Sequence, residues 1–516
     1  GVCISEVALL FLYYRNEVLF LASKELQNAI NGYENYILDN GIDEQVIDAY
    51  VLACQTAYKE DEETGLKVSA RAKEIIERFV LDKTGGTIWD LDSYCNQNKV
   101  SYSILDSYYQ VLLAEAPYLF DSYLLYLEKD REEKEKFYFP KMIQLRKLGI
   151  IQAMQDLEDD VLDYLSVSMP PGTQKTTALK FFASWIIGKH PRDYSLFFSH
   201  SGDITRMFYD GVLDITTSEE YKWSEIFPEV KLRDTNAKAE KMDFGKYKPF
   251  YSLQCTSVGS KNSGKVRCNR YLYCDDLIGG IEEALNKARL DNLWNIYSVD
   301  ARQRKLNEQV KEIHIATRWS VHDVIGRLKA LFSGNNRAKF IAIPDLDPET
   351  GESNFNYKYN GMSKEFFEAQ ALVMDEVSYK CLYKNEPIER EGLLFPEDSL
   401  RRYFALPKET PDEIRGQCDT KGKGTDYMVL PCLYRYGDEY YCEDAVCNNS
   451  ADYEQQYQNL ARIIVENQMN SCDFERNAGG DRVALEVSKR VSEMGWICNI
   501  RDTPTETNKE ARIYQC

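Results

Sequence analysis

Lys175 and Thr176, within YLSVSMPPGTQKTTALKFF (164–182), are the residue types that handle phosphate. An ammonium offsets phosphate charge, and a hydroxyl one residue later can hold a magnesium ion that bridges the same phosphates. Further along, the apolar run RYLYCDDLIGG (270–280) ends in Asp275 and Asp276. In a nucleotide site Asp275 would hold the metal through water and Asp276 would polarise the attacking water. Gly172 and Thr173 complete the loop, but Met169 and Gln174 stand where glycines are expected. A side chain at the second of these places restricts the backbone. Acidic pairs also end many plain solvated turns, so the two stretches carry more weight together than apart.

For these side chains to meet, a strand must feed a loop of backbone N–H groups into a helix N-terminus, where the dipole favours anions. The apolar run ending near Ser168 supplies the strand, and TALKFFASWII supplies the helix. Across 121–335 the runs LSVSMPP, YSLFFSH, RYLYCDD and KEIHIATRW alternate with helical stretches, which predicts an α/β domain with buried parallel strands. Residues 1–120 read as helical, with apolar residues three and four apart in EVLFLASKELQNAINGYENYIL and SARAKEIIERFVLDK, and offer no chemistry. VALLFLYYRNEVLFLA, charged at Arg15 and Glu17, is too short to span a bilayer and reads as a buried helix. Residues 336–414 form a connecting region whose PDLDPETGESNFNYKYNG marks turns. In 415–516 the texture predicts three strands joined by a Gly-rich turn and a tight Gly437–Asp438 turn. An amphipathic helix from about Tyr453 to Gln468 and a strand ending near Glu475 follow.

At 516 residues the chain has room for two or three domains, and 44% hydrophobic with 28% charged residues is a globular composition. The net charge of −20 argues against a surface coated in nonspecific nucleic-acid contacts while leaving room for a local basic channel. Fourteen scattered cysteines without a CxxC pair, beside four histidines, predict reduced thiols and no zinc site. No basic leader with a small-residue cleavage site opens the chain, which argues against secretion. The start at Gly1 and the end at Cys516 suggest a fragment of a longer reading frame.

HIATRWSVHDVIGRL (314–328) resembles the coupling motif of the large terminase subunits of tailed phages, in which a strand ends in Thr-Arg-Trp/Phe and runs into an Asp-x-x-Gly-Arg helix. With it, FYFPKMIQLRKLGIIQAMQDLEDDVLDYLSVSMPPGTQKTT is similar to the family's entry segment and its divergent phosphate loop, and TSVGSKNSGKVR (256–267) to the stretch before the acidic strand. EAQALVMDEVSYKCLYKNEPIEREGLLFPEDSLRRYF resembles the segment leading to the family's nuclease. The likeness runs from about Asp121 to Cys516.

That resemblance implies a P-loop NTPase of the ASCE type, an RNase H-like α/β nuclease domain after it, and a helical N-terminal region. It implies ATP with magnesium at Gly172, Thr173, Gln174, Lys175, Thr176 and Asp275, catalysis by Asp276, and coupling of hydrolysis to motion through Thr317 and Arg318. Asp419 and Glu475 resemble the first two nuclease acids and would bind magnesium or manganese. A two-metal site needs carboxylates converging from different strands. Asp426 and Asp444 are supporting candidates and Asp502 a more distant one; the family's third acid has no clear match, which truncation would explain. Arg206 and Arg233 are candidates for the arginine finger that such a motor uses. The implied partners are double-stranded DNA, a portal and procapsid, a small terminase subunit and further copies in a ring, in the cytoplasm of a bacterial host and without a membrane. Two rival readings are a helicase-like ATPase and a decayed prophage remnant.

Overall fold

The computed structural model describes residues 23–41, 43–100, 104–259, 266–284, 286–387, 401–420, 427–448, 450, 452–476 and 480–504. It divides into two compact units, Gly1–Glu389 and Arg390–Cys516. The expected helix over 7–22 and the candidate acid Asp426 lie outside the described residues.

The first unit opens with helices α1 (Lys24–Asn40), α2 (Glu44–Glu60), α3 (Glu62–Thr84), α4 (Leu91–Asn98), α5 (Ile104–Glu115) and α6 (Phe120–Leu127). Ser23, Asp43 and Asp61 cap the first three by accepting from backbone N–H groups of the opening turn. Helix α7 (Ile150–Glu158) leads into strand β1 (Tyr164–Ser168), and α8 (Lys175–Lys189) leaves the loop that follows it. Strand β2 (Ser195–Ser199), helix α9 (Gly202–Thr217), a hairpin of β3 (Leu232–Asn236) and β4 (Lys241–Phe244), then β5 (Leu253–Ser257) and β6 (Tyr271–Asp275) continue the unit. Helix α10 (Lys287–Asn295), β7 (Lys311–Ala316), α11 (Val324–Leu331), β8 (Ala338–Ala342) and α12 (Lys364–Val373) complete its main elements.

The eight strands order as β3-β4-β5-β2-β6-β7-β1-β8. From β5 to β8 neighbouring strands are parallel, and β4 and β3 add an antiparallel edge. Strands β1, β2 and β6 are buried along their whole length, as expected of a sheet covered on both faces. The sequence reading placed the helical region and the connecting region apart from the motor domain, whereas one hydrophobic core runs from Leu26 to Tyr383. Polar ties reinforce it: Trp185 Nε1 donates to the Ala116 carbonyl at 2.8 Å, and the Tyr123 and Ser184 hydroxyls meet at 2.6 Å. Among the described residues no helix is long and apolar enough to cross a membrane.

In the second unit, β9 (Glu413–Cys418), β10 (Met428–Tyr436) and β11 (Glu439–Asn448) form an antiparallel meander. Helix α13 (Tyr453–Glu466), β12 (Ser471–Glu475), α14 (Gly480–Glu493) and β13 (Asn499–Thr503) follow. The sheet order is β11-β10-β9-β12-β13, with β12 parallel to both its neighbours. Cys418, Leu430, Cys432, Cys472 and Phe474 on one face of this sheet share a core with Leu460, Ile464 and Val487 of the two helices.

Candidate nucleotide cleft and acidic strand ends

The sheet of the first unit brings the carboxyl ends of β2, β6, β7 and β1 together, the crevice where open α/β sheets bind ligands. Pro171, Gly172, Gln174, Lys175, Thr176, His200, Asp276, Gly279, Thr317 and Trp319 line a cleft there of about 450 Å³. Register explains the convergence. Ser199 pairs with Asp275, Asp275 with Ile315, and Ala316 with Ser168, so the residues just beyond each strand reach one level.

The loop after β1 turns at Gly172, with φ of 76°, and at Gln174, with φ of 64°. Gln174 therefore holds the left-handed conformation that glycine would adopt without a Cβ penalty, and the chain meets the geometric demand with a strained side-chain-bearing residue. At Gly172 itself a Cβ would stand 2.8 Å from Met362 Cε, so that position is closed to side chains unless the methionine shifts. The Thr173 hydroxyl donates to the Pro170 carbonyl at 2.7 Å and fastens the loop internally. Helix α8 then starts at Lys175, and the N–H groups of its first turn have no partner within the helix, the setting for an anion.

The buried Lys175 ammonium donates to Thr317 Oγ1 at 2.8 Å and stands 3.7 Å from Asp276 Oδ2. Thr176 donates from its hydroxyl to Asp275 Oδ2 at 2.7 Å. Asp275 is fully buried, and its other carboxylate oxygen, Oδ1, has no hydrogen-bond partner. Burial first and the neighbouring Asp276 second raise its carboxyl to about 7, against the pull of Thr176 and Lys175. An orphaned carboxylate oxygen beside a threonine hydroxyl fits a hard divalent cation, which prefers oxygen ligands. Asp276, with a positive φ of 38°, accepts at Oδ1 from the Thr317 N–H at 2.8 Å. The six predicted nucleotide-site positions and Asp276 thus fall at the end of one strand array, with Thr317 as the crosspiece between Lys175 and Asp276.

Arg318 takes another course. It is buried, its Nε donates to Asp323 Oδ2 at 2.8 Å, and Asp323 in turn caps α11 by accepting from the Gly326 N–H at 2.7 Å. A Cβ on Gly326 would stand 2.1 Å from the Val321 carbonyl oxygen, which is why the Asp-x-x-Gly spacing matters here. Arg318 therefore builds the turn after β7 and does not line the cleft. Arg206 bonds Asp210 at 2.8 Å and the Ala237 carbonyl at 2.7 Å, and Arg233 pairs with Asp243 at 2.7 Å. Neither arginine lines the cleft. His200 and Trp319 do, and the sequence reading passed over both although it quoted the strand ends that carry them.

In the second unit β12 runs in register with β9 so that Cys418 faces Phe474, and one step further Asp419 and Glu475 lie at the same level. Alternation puts these two carboxylates on the same face, opposite to Cys418 and Phe474. The Thr420 hydroxyl donates to the Glu475 carbonyl at 2.8 Å and joins the two strand ends. Asp502 is in register with Phe474, out of phase with Glu475, and accepts from Arg476 Nε at 2.6 Å. Asp444 pairs with Cys432, which pairs with Gly416, so it too is out of phase with Asp419. Neither supports the pair. Among the described residues no group of three or more His, Cys, Asp or Glu side chains could hold a metal ion. Asp419 and Glu475 are thus two acids at adjacent strand ends, and no two-metal chemistry follows from them alone.

The class defined by these two folds is α/β: an open, mainly parallel sheet with a turn-rich loop between β1 and α8, joined in one chain to a smaller mixed-sheet domain. Residues 418–516 match the family model described as "Terminase Bacteriophage T7, Ribonuclease H-like domain". Over those residues the chain is similar to that family, and the resemblance to large terminase subunits expected from the sequence is borne out. Solved structures similar to the chain include the large terminase of a thermophilic bacteriophage in complex with ADP, 10% identical, covering 72% of this chain and 84% of that one at a TM-score of 0.32. The bacteriophage HK97 large terminase is 11% identical, with 73% and 85% covered and a TM-score of 0.34. A mutant of the Thermus phage P74-26 large terminase ATPase domain is 12% identical, with 49% and 95% covered and a TM-score of 0.35. These likenesses are too distant to assign a role to any residue. No curated protein matches the chain in sequence.

Proposed function

We propose that this chain is the large subunit of a phage or prophage terminase, an ATP-driven translocase of double-stranded DNA joined to a metal-dependent endonuclease. The observation that carries the motor half is the Thr176–Asp275 bond at 2.7 Å, with the second Asp275 oxygen left without a partner beside a buried Lys175. Thr176 and Asp275 would hold magnesium, which when bound neutralises charge on the phosphates. Lys175 would meet the outer phosphates, and the first turn of α8 would cradle them through its N–H groups. Asp276, oriented by the Thr317 N–H, would polarise the attacking water, and Thr317 would report the loss of the outer phosphate because it bonds Lys175 as well. The nuclease half rests on Asp419 and Glu475 at adjacent strand ends within a terminase RNase H-like domain. Asp419 and Glu475 would contribute to holding magnesium or manganese, which would supply the positive charge that cutting concatemeric DNA needs.

The same reading assigns a portal and procapsid, a small terminase subunit and further copies of this chain as partners, in the cytoplasm of a bacterial host. A helicase-like ATPase would share the cleft but has no use for a terminase RNase H-like domain. The test is phosphate release from ATP by the purified chain with magnesium, with and without linear double-stranded DNA. Turnover that rises with DNA supports the proposal; no turnover under either condition refutes its motor half.

A further inference from the structure

We infer that His200 is a positioning residue for Asp276, holding the peptide of that carboxylate in the conformation that aims it into the cleft. The inference rests on the ATPase reading above and adds a residue to it. His200 follows β2 directly, and because Ser199 pairs with Asp275, His200 stands level with Asp276 on the neighbouring strand. Its ring Nδ1 lies 2.6 Å from the Asp276 carbonyl oxygen, and its own backbone N–H reaches the same oxygen at 3.3 Å. A carbonyl only accepts, so Nδ1 carries the proton and the ring donates. Two donors from one residue thus converge on one carbonyl.

That carbonyl belongs to a residue under backbone constraint. Asp276 has a φ of 38°, in the left-handed region, a conformation that crowds Cβ against the backbone and is held here by hydrogen bonds on both sides. Its N–H is held by the Ile315 carbonyl at 2.9 Å and its Oδ1 by the Thr317 N–H at 2.8 Å. Both of those restraints come from β7 and the turn after it. The His200 ring supplies the shorter restraint from the other side, and without it only the 3.3 Å bond from the His200 backbone N–H holds the carbonyl there. The ring has a fitted seat: it lines the cleft, and a Cβ on Gly279 would come within 3.2 Å of Cδ2.

The chemistry separates this role from plain packing. In His200→Asn the side-chain Nδ2 stands as many bonds from Cβ as Nδ1 does and can donate to the same carbonyl, whereas in His200→Gln the donor is one bond further out and in His200→Ala it is gone. The experiment measures ATP turnover and the dissociation constant for a non-hydrolysable ATP analogue with magnesium, in the full chain and the three variants, with linear double-stranded DNA present. The expected result is a fall in kcat of tenfold or more in His200→Ala and His200→Gln, analogue binding within about threefold of the parent in all three, and recovery of kcat to within about threefold in His200→Asn. Parent-level kcat in His200→Ala overturns the role of His200 and leaves the ATPase reading standing. Loss of analogue binding together with kcat, or an Asn variant as slow as the Ala variant, also overturns it. A parent chain without turnover overturns the ATPase reading and the role of His200 with it.

Discussion

The Lys175 ammonium donates to the Thr317 hydroxyl at 2.8 Å, although 142 positions of sequence separate the two residues. One belongs to the loop that would meet the nucleotide, and the other to the turn that continues through Arg318 and Asp323 into α11. The Lys175–Thr317 bond, the peptide that joins Thr317 to Arg318 and the Arg318–Asp323 pair therefore form a continuous connection from the cleft to α11. Thr317→Ala removes the hydroxyl but keeps the N–H that holds Asp276. It should leave affinity for a non-hydrolysable ATP analogue within about threefold while reducing the stimulation of turnover by DNA at least tenfold. Equal losses of binding and stimulation would indicate a folding defect instead.

Gln174→Gly replaces a left-handed glutamine by the residue that adopts this conformation without penalty. Relief of strain worth about 1 kcal/mol is offset by the greater freedom of glycine in the unfolded chain, about 0.5–1 kcal/mol, so stability should barely change. ATP turnover should be kept or raised. A large loss of turnover would assign the Gln174 side chain a positive role in the cleft.

With Asp419 and Glu475 as the acids brought together, the chain should nick DNA slowly with manganese or not at all. Where nicking is detectable, Asp419→Ala should remove it and leave ATP turnover unchanged, since the acid lies in the second unit. Plasmid relaxation measured beside phosphate release checks both halves. Nicking that persists in Asp419→Ala would overturn the nuclease assignment.

Much of the cleft was legible because its elements are local: β1, its loop and α8 are contiguous, and apolar runs mark β2, β6 and β7. The turn Thr317–Asp323 was readable for the same reason, but not that Arg318 spends its charge on Asp323, since pairing within a turn depends on rotamers. The β3–β4 hairpin escaped notice because β3 is exposed along its length and shows no apolar alternation. The periodicity of α1–α6 revealed an apolar face but not its partner, which is the core shared with the eight-stranded sheet. Asp444 and Asp502 stand in sequence as lesser candidates to support Asp419 and Glu475. Strand register, which sequence does not carry, puts them out of phase with Asp419. His200 was passed over because a single histidine after a strand has no signature until the neighbouring strand is aligned with it.

Below the cleft, Glu158 at the end of α7 accepts from Arg270 Nη2 at 2.6 Å and the Tyr271 hydroxyl at 3.0 Å, and it pairs with His190. Burial alone would raise this carboxyl, but the bonds from His190 and Arg270 outweigh it and hold it at about 2. A depressed carboxylate stabilises the fold above its unfolded value, and that stability is lost as pH falls toward the folded one. Glu158→Gln should lower Tm by several degrees at pH 7, because breaking a buried pair costs about 3–5 kcal/mol. The gap to the parent should narrow between about pH 4.5 and 2. Thermal melts across that range check the sign; a gap that widens on acidification would contradict the pairing.

The central claim is that this cleft hydrolyses ATP with Lys175 neutralising phosphate charge. The most direct measurement is magnesium-dependent phosphate release by the full chain and by Lys175→Ala, with circular dichroism to verify that both are folded. Loss of the ammonium should reduce turnover at least a hundredfold, on the order of the 3 kcal/mol or more that one preorganised electrostatic group supplies. A folded Lys175→Ala chain that releases phosphate at the parent rate would contradict the account.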